Sequence, residues 1–176
     1  SETYYFSTCG GHTAASGDVW GPRAARPYLT GIPDGRPPHC AASPHLHWRL
    51  ELGLRELCRR LRGAMPQLGA RPCGIRVAER GAGGWVRRVE VRAEHPVWLP
   101  GDRFHLVMGR LYGWARFKSA HFTCVRDGGT ITFRGRGMGH GVGMCQHGAM
   151  GMERAGADHR AILRHYFPRC ELGSWP

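Results

Sequence analysis

The sequence predicts an α+β domain, strand-rich and mixed, with a few short helices. Three observations predict it: β-branched and aromatic residues recurring at period two, glycine-rich turns between such stretches, and only short runs of apolar residues at helical spacing. At 176 residues, 41% of them apolar, the chain has enough material for one core, so residues 1–176 are read as a single domain.

Taken in order, Thr3 to Thr8 is aromatic and β-favouring and reads as a strand, ending in a turn at Cys9-Gly10-Gly11-His12-Thr13. Ser7, Thr8 and the amides of Gly10 and Gly11 suit either a polar pocket rim or a turn that satisfies itself. From Asp18 to Pro44 prolines and glycines recur, which reads as a long loop, either ordered and pinned by Trp20 and Tyr28 or mobile. Leu50, Leu54, Leu57, Cys58 and Leu61 predict an amphipathic helix closed by Gly63 and stopped before Pro66. Ile75 to Glu79 and Trp85 to Ala93 read as a hairpin turning through 81–84, with a bulge early in the second strand because Val86 is out of phase with Val89 and Val91. Asp102 is placed to cap a helix ending at Gly109. A second hairpin, Ala115 to Val125 with Thr130 to Phe133, turns at Asp127-Gly128-Gly129, and Asp158 caps a last helix from His159 to about Tyr166.

The most unusual stretch runs from Arg134 to Ala149. Glycine falls at 135, 137, 139, 141 and 143, with Arg136, Met138, His140 and Val142 between. If the segment is extended, one face carries side chains and the other is bare backbone. Either another strand packs tightly on the bare face, or that face floors a groove with His140 at its edge. A dinucleotide fingerprint fits poorly, because no phosphate-cradling turn explains strict alternation and no acidic ribose partner follows.

Charge and cysteine usage narrow the function. There are 25 Lys and Arg against 13 Asp and Glu, a net charge of +12, which favours polyanionic surroundings such as nucleic acid or an anionic cell wall. No nucleic-acid recognition spacing accompanies the charge, so no nucleic-acid partner is expected. No apolar run is long enough to span a bilayer, and no charged-then-apolar leader opens the chain. A start at Ser1 is expected of a processed form or fragment. Seven cysteines occur without any CxxC pair, which disfavours a zinc ribbon or thioredoxin-like site. A Cys9–Cys40 disulfide is the expected pairing, and Cys58 reads as a small buried hydrophobe. His39, Cys40, His45 and His47 are the one cluster resembling a metal site, but their spacing fits a polar loop better, and no metal ligand is assigned.

Four stretches carry a family resemblance: Phe6-Ser-Thr-Cys-Gly-Gly-His-Thr13 with Asp18-Val-Trp-Gly21, Phe117-Lys-Ser119 with Phe122, Phe133 to Ala149, and Ile162-Leu-Arg-His-Tyr-Phe-Pro168. In this order they closely resemble the stage II sporulation protein D family, which includes the LytB amidase enhancers. Cys145-Gln146-His147 stands where that family commonly has Ser-Gln-Tyr. The resemblance implies a module in the extracytoplasmic cell envelope that acts on peptidoglycan glycan strands. Its members either cleave those strands as lytic transglycosylases or assist a cell-wall amidase. In a lytic transglycosylase one protonated carboxylic acid donates to the glycosidic oxygen, and the muramic 6-hydroxyl closes on the anomeric carbon to leave a 1,6-anhydro end. The family's catalytic glutamate, and the zinc-binding segment of some members, precede the Ser-Thr motif and have no counterpart in this sequence. The expectation is therefore the downstream part of the family domain: either a preceding segment or a second chain supplies the acid, or this module only binds, and any membrane attachment lies in a preceding segment.

Candidate substrate-binding residues under this reading are Ser7, Thr8, Gly10 and Gly11 on one rim and His140, Gln146 and His147 on the other. Imidazole, amide and hydroxyl groups can both give and accept hydrogen bonds to sugar hydroxyl and acetamido groups. A different class is also open. Cys145, five residues from His140 and two from His147, is a possible thiol nucleophile of a Cys-His peptidoglycan peptidase.

Overall fold

The computed structural model describes residues 2–69 and 74–173; Cys73 lies outside them. Its elements are β1 (Tyr5–Phe6), α1 (Ser16–Trp20), β2 (His47–Gly53), α2 (Leu54–Ala64), β3 (Gly74–Arg80), β4 (Val86–Arg92), β5 (Val97–Pro100), α3 (Gly101–Tyr112), β6 (Phe122–Asp127), β7 (Thr130–Arg136), β8 (Met144–Cys145), α4 (Gln146–Arg154) and α5 (His159–Tyr166). This is the strand-rich α+β domain that the sequence predicts. Among the described residues no helix is long and apolar enough to cross a membrane.

Two antiparallel three-stranded sheets, ordered β2-β7-β6 and β3-β4-β5, enclose the larger core. Phe104 from α3 sits fully buried there among Phe117, Phe122 and Phe133, with ring centroids between 5.8 and 6.4 Å from its own. Losing a ring of this kind costs about 3–5 kcal/mol. Both expected hairpins form, β3 with β4 and β6 with β7, the second turning at Gly128-Gly129. The bulge is where the phase of Val86 places it: Glu79 faces Arg88 and Arg80 faces Val86, leaving Arg87 extra.

Four local expectations need correction. Leu50 belongs to β2, where Trp48, Leu50 and Leu52 alternate into the core; the period-two stripe runs up to Gly53 and the helix only then begins. The first strand is two residues long, because the chain bends at Ser7 and Thr8 keeps a single bridge, to Met138. Helix α3 starts at Gly101 behind Pro100 and runs past Gly109 to Tyr112, with Asp102 in its first turn rather than at the cap. Residues 115–121 do not extend the second hairpin, since Ser119 makes only an isolated bridge, to Gly139.

A smaller core lies between β1, α1, the loop after it, β8, α4 and α5. It contains Phe6, Cys9, Leu29, Cys40, Trp85, Val142, Cys145 and Tyr166. Asp158 caps α5 through the amide of Ala161 at 2.7 Å, as the sequence predicts, and Ile162 and Leu163 pack onto this core.

Candidate functional site

The glycine stretch is not an extended ribbon. Gly137, Gly139, Gly141 and Gly143 have φ of 72, 107, 86 and 82°, so the chain kinks at every second residue instead of pleating. Its naked face is covered by the same polypeptide. A methyl group on Gly137 would lie 2.3 Å from the Thr8 carbonyl oxygen, on Gly141 2.5 Å from the Trp85 ring, and on Gly143 2.2 Å from the Tyr4 carbonyl oxygen. Of the two readings of the alternation, tight self-packing is the one realised. The groove-floor reading is corrected.

The remaining predicted site residues fall into two groups. Thr8 is buried, its hydroxyl 2.7 Å from Ser43 Oγ and 3.3 Å from Ser7 Oγ, and Gly10 is wedged against Arg136, so both belong to the scaffold. Gly11 is half-buried and its amide donates to Cys9 Sγ at 3.4 Å. Gln146 is exposed at the start of α4, and the amide of His147 donates to the Ser7 carbonyl at 3.0 Å. Ser7 therefore adjoins His147 and does not face it from an opposite rim. The His147 ring lies 6.2 Å from that of His45, whose Nδ1 is 3.2 Å from Lys118 Nζ.

His140 faces elsewhere. It lines a cavity of about 260 Å³ with Val19, Trp20, Asp102, His105 and Leu106. Trp20 shields it, with ring centroids 5.4 Å apart, and Phe6 stands at the same distance. The Val142 amide donates to Nδ1 at 3.1 Å, which places the imidazole proton on Nε2, and burial lowers the ring's pKa, so it is neutral at pH 7. On the other side of Trp20 a second cavity of about 410 Å³ shares Val19, Trp20 and Asp102 and adds Trp98, Arg87, Arg88 and Arg103. The two cavities adjoin at Val19, Trp20 and Asp102 and are together called the Trp20 trough; Trp20 and Trp98 are 36% and 44% exposed.

Burial also sets the protonation of the trough. It raises the Asp102 carboxyl above its ordinary value and lowers His105 to about 4. His105 Nε2 is buried and finds no hydrogen-bond partner among the described residues. Sequence reasoning missed this pair; an acid and an imidazole three apart at the start of a helix share a face, and that spacing was the available signal. Five of the eight glutamates make poor proton donors by comparison. Glu2, Glu51, Glu56, Glu79 and Glu90 are ion-paired with arginines, and those arginines lower Glu56 and Glu90.

The four residues of the sequence's one metal-like cluster do not meet. His39 turns to His165, with centroids 5.3 Å apart, His45 to His147, and His47 is exposed on β2. Cys40 instead points inward to Cys9, Asp34 and Cys145, whose ligand atoms all lie within 4.8 Å of one another. The expected Cys9–Cys40 pairing brings the right residues together, but as thiols with sulfurs 3.5 Å apart, beyond the ~2.05 Å of a disulfide. A third sulfur shares the space. Cys145 is fully buried, accepts amide hydrogen bonds from Cys9 and Gly148 at 3.2 Å each, and its thiol is pushed up to about 12 by the neighbouring Cys40. An exposed, acidified thiol is what a nucleophile needs, and Cys145 is the reverse.

No protein-family model matches the chain. Among curated proteins it is 38% identical to the amidase enhancer of Bacillus subtilis over 65 residues, covering 37% of this chain and 9% of that protein. It is 44% identical to stage II sporulation protein D of Bacillus amyloliquefaciens over 55 residues, 31% of this chain and 16% of that protein. An uncharacterized protein of Brachyspira hyodysenteriae is 30% identical over 165 residues, 94% of this chain and 41% of its own length. The chain thus spans less than half the length of each of these relatives.

Proposed function

The chain belongs to the stage II sporulation protein D and LytB amidase-enhancer family, and on that premise we propose that it acts on peptidoglycan by holding glycan strands in the Trp20 trough. The observation that carries this reading is the trough itself. Saccharides are bound by flat apolar surfaces for the ring faces and a few fixed polar groups for the hydroxyls, which matches the general make-up of small-ligand pockets. Trp20 offers the face, while the half-buried Asp102 carboxyl offers a polar group to the hydroxyls, with the His105 ring forming the wall beside it. On the far side Arg87 and Arg88 are already paired with Asp18 and Glu79, and Arg103 suits the carboxylates that muramyl units and their stem peptides carry.

Cleavage to 1,6-anhydro ends is the activity of the complete family enzyme under this reading. Its proton donor is not one of the ion-paired glutamates described above. A second reading, a non-catalytic module that assists a cell-wall amidase, is favoured by those same ion pairs and by the relative named as an amidase enhancer. Both readings share the trough as the strand-binding surface.

The test is co-sedimentation with purified peptidoglycan freed of nucleic acid. Trp20→Ala is expected to weaken binding by about 30-fold, the equivalent of the ~2 kcal/mol typical of a buried aromatic anchor. Binding that is unchanged by Trp20→Ala overturns the trough assignment. Assaying the same incubation for anhydro-muramyl ends separates the two readings.

A further inference from the structure

We propose that Cys9, Asp34, Cys40 and Cys145 form a structural zinc site that pins the loop after α1 and the end of the glycine stretch onto the Ser-Thr turn. The four residues come from three distant parts of the sequence and each is fully buried, at 0% exposure. Their ligand atoms lie within 4.8 Å of one another. Tetrahedral zinc with Zn–S near 2.3 Å sets its sulfurs about 3.8 Å apart, and the Cys9 and Cys40 sulfurs already stand at 3.5 Å. Three thiolates and a carboxylate are a donor set that zinc favours, and a closed set of four leaves no position for water, which marks a structural site.

The surroundings are those of a metal's outer shell. Cys145 caps α4, where the positive end of the helix dipole offsets thiolate charge. Backbone amides of Cys9 and Gly148 donate to Cys145 Sγ, and that of Gly11 to Cys9 Sγ, so the sulfurs are held by N–H groups. Asp34 is oriented through both oxygens: the Cys40 amide donates to Oδ2 at 3.0 Å and the Tyr166 hydroxyl to Oδ1 at 2.5 Å. Such second-shell contacts fix ligand geometry. A methyl group on Gly148 would lie 2.0 Å from that hydroxyl, so the glycine makes room for it.

Without a cation the same cluster is an awkward thing to bury. Three thiols and a carboxyl share one apolar space, and a +2 ion converts it to a closed unit, releasing the thiol protons on binding. The loop from 21 to 46 gains most. It contributes two ligands, Asp34 and Cys40, and apart from a short 3-10 turn at Pro22–Ala24 it has little regular structure to hold it.

The experiment is elemental analysis of the purified chain, produced with zinc in the medium and handled without chelator. About one zinc per chain is expected, falling to about a tenth or less in Cys145→Ser and in Cys40→Ser. Because a cysteine variant can fail to fold, two further measurements use folded protein. Cobalt substituted into the unmodified chain is expected to give a thiolate-to-cobalt charge-transfer band, and Tyr166→Phe is expected to lower zinc affinity about tenfold in competition with a chelator. The proposal is overturned by a zinc-free folded chain, by recovery of Cys9 and Cys40 as a disulfide on non-reducing peptide mapping, by zinc content indifferent to Cys145→Ser, or by iron or copper in its place. None of these readouts involves glycan, so the zinc site and the trough stand or fall separately.

Discussion

Gly143→Ala measures what covers the bare face of the glycine stretch. Gly143 has φ of 82°, in the left-handed region, and an added methyl group would stand 2.2 Å from the Tyr4 carbonyl oxygen. Gly128 supplies the internal control, with φ of 52° in the β6–β7 turn and nothing within 4 Å of its absent methyl. The control variant, Gly128→Ala, carries the backbone penalty alone, about 1–2 kcal/mol. Gly143→Ala carries that penalty together with a clash worth about 1–3 kcal/mol. The clash is hard to relieve, because the Tyr4 carbonyl accepts the Met144 amide at 2.9 Å and moving it loosens the β1–β8 pairing at about 1 kcal/mol more. The expected cost of Gly143→Ala is therefore about 3–6 kcal/mol by urea unfolding, clearly beyond that of Gly128→Ala. Equal costs for the two variants, with glycan binding lost only in Gly143→Ala, would restore a groove floor and refute the self-packing described here.

Three further outcomes follow from named contacts. Ser119 is fully buried; its hydroxyl donates to the Arg136 carbonyl at 2.7 Å and accepts from the His121 amide at 3.2 Å and Trp48 Nε1 at 3.3 Å. Ser119→Ala strands those groups and should cost about 3 kcal/mol in equilibrium unfolding, and a neutral result would show that the three do not depend on it. His105 is held near 4 by burial against an ordinary 6.5, with His140 opposing its charge and the Phe117 carbonyl favouring it. The native state therefore binds fewer protons than the unfolded one between those values, so stability is complete above about 6.5 and is lost as pH falls towards 4. At about 1.4 kcal/mol per pH unit, the gap amounts to an upper limit of ~3.5 kcal/mol. His105→Gln should flatten the slope of unfolding midpoint against pH in that window, and an unaltered slope removes His105 as its source. Phe104→Ala should lower stability by about 3–5 kcal/mol, with a guanidinium midpoint within error of the parent refuting its place at the centre of the larger core.

How far the sequence could be read depended on whether the deciding contact was local. Period-two stripes and Gly-Gly turns place both hairpins because register and turn chemistry are set by residues close in sequence. Leu50 reads as helical in the sequence because a short apolar run satisfies both periods, and only pairing of Leu50 with Phe133 on β7 decides between them. The glycine alternation suggested an extended strand because φ is invisible in composition; it is the Tyr4, Thr8 and Trp85 atoms lying against it that force the kinks. Asp34 was hidden in a Pro-Asp-Gly turn sequence, and nothing local relates it to Cys9 or Cys145. Trp20 was legible as a loop anchor, but not as the wall between two cavities.

Most of the motif residues prove to hold one another. Met138 exchanges two backbone hydrogen bonds with Thr8, Cys9 and Cys145 meet in the smaller core, and Gly10 is shaped to Arg136, so the Ser-Thr turn and the glycine stretch are packing partners. The surface best suited to a saccharide is built next to them by α1 and α3, whose Trp20, Asp102 and His105 flank His140. His140 is the joint between the two systems. Its ring touches Tyr4, Phe6 and Trp20, while its Nδ1 is bound by the Val142 amide inside the glycine stretch. A substitution at His140 consequently acts on both, shifting Trp20 and loosening the stretch together. Trp20→Ala removes the indole's packing on Tyr4 and His140 but leaves the Val142 amide bonded to Nδ1, so it should cost less stability than His140→Ala. The indole rather than the imidazole is therefore the decisive position for a binding test: binding lost well beyond any loss of stability points to the trough.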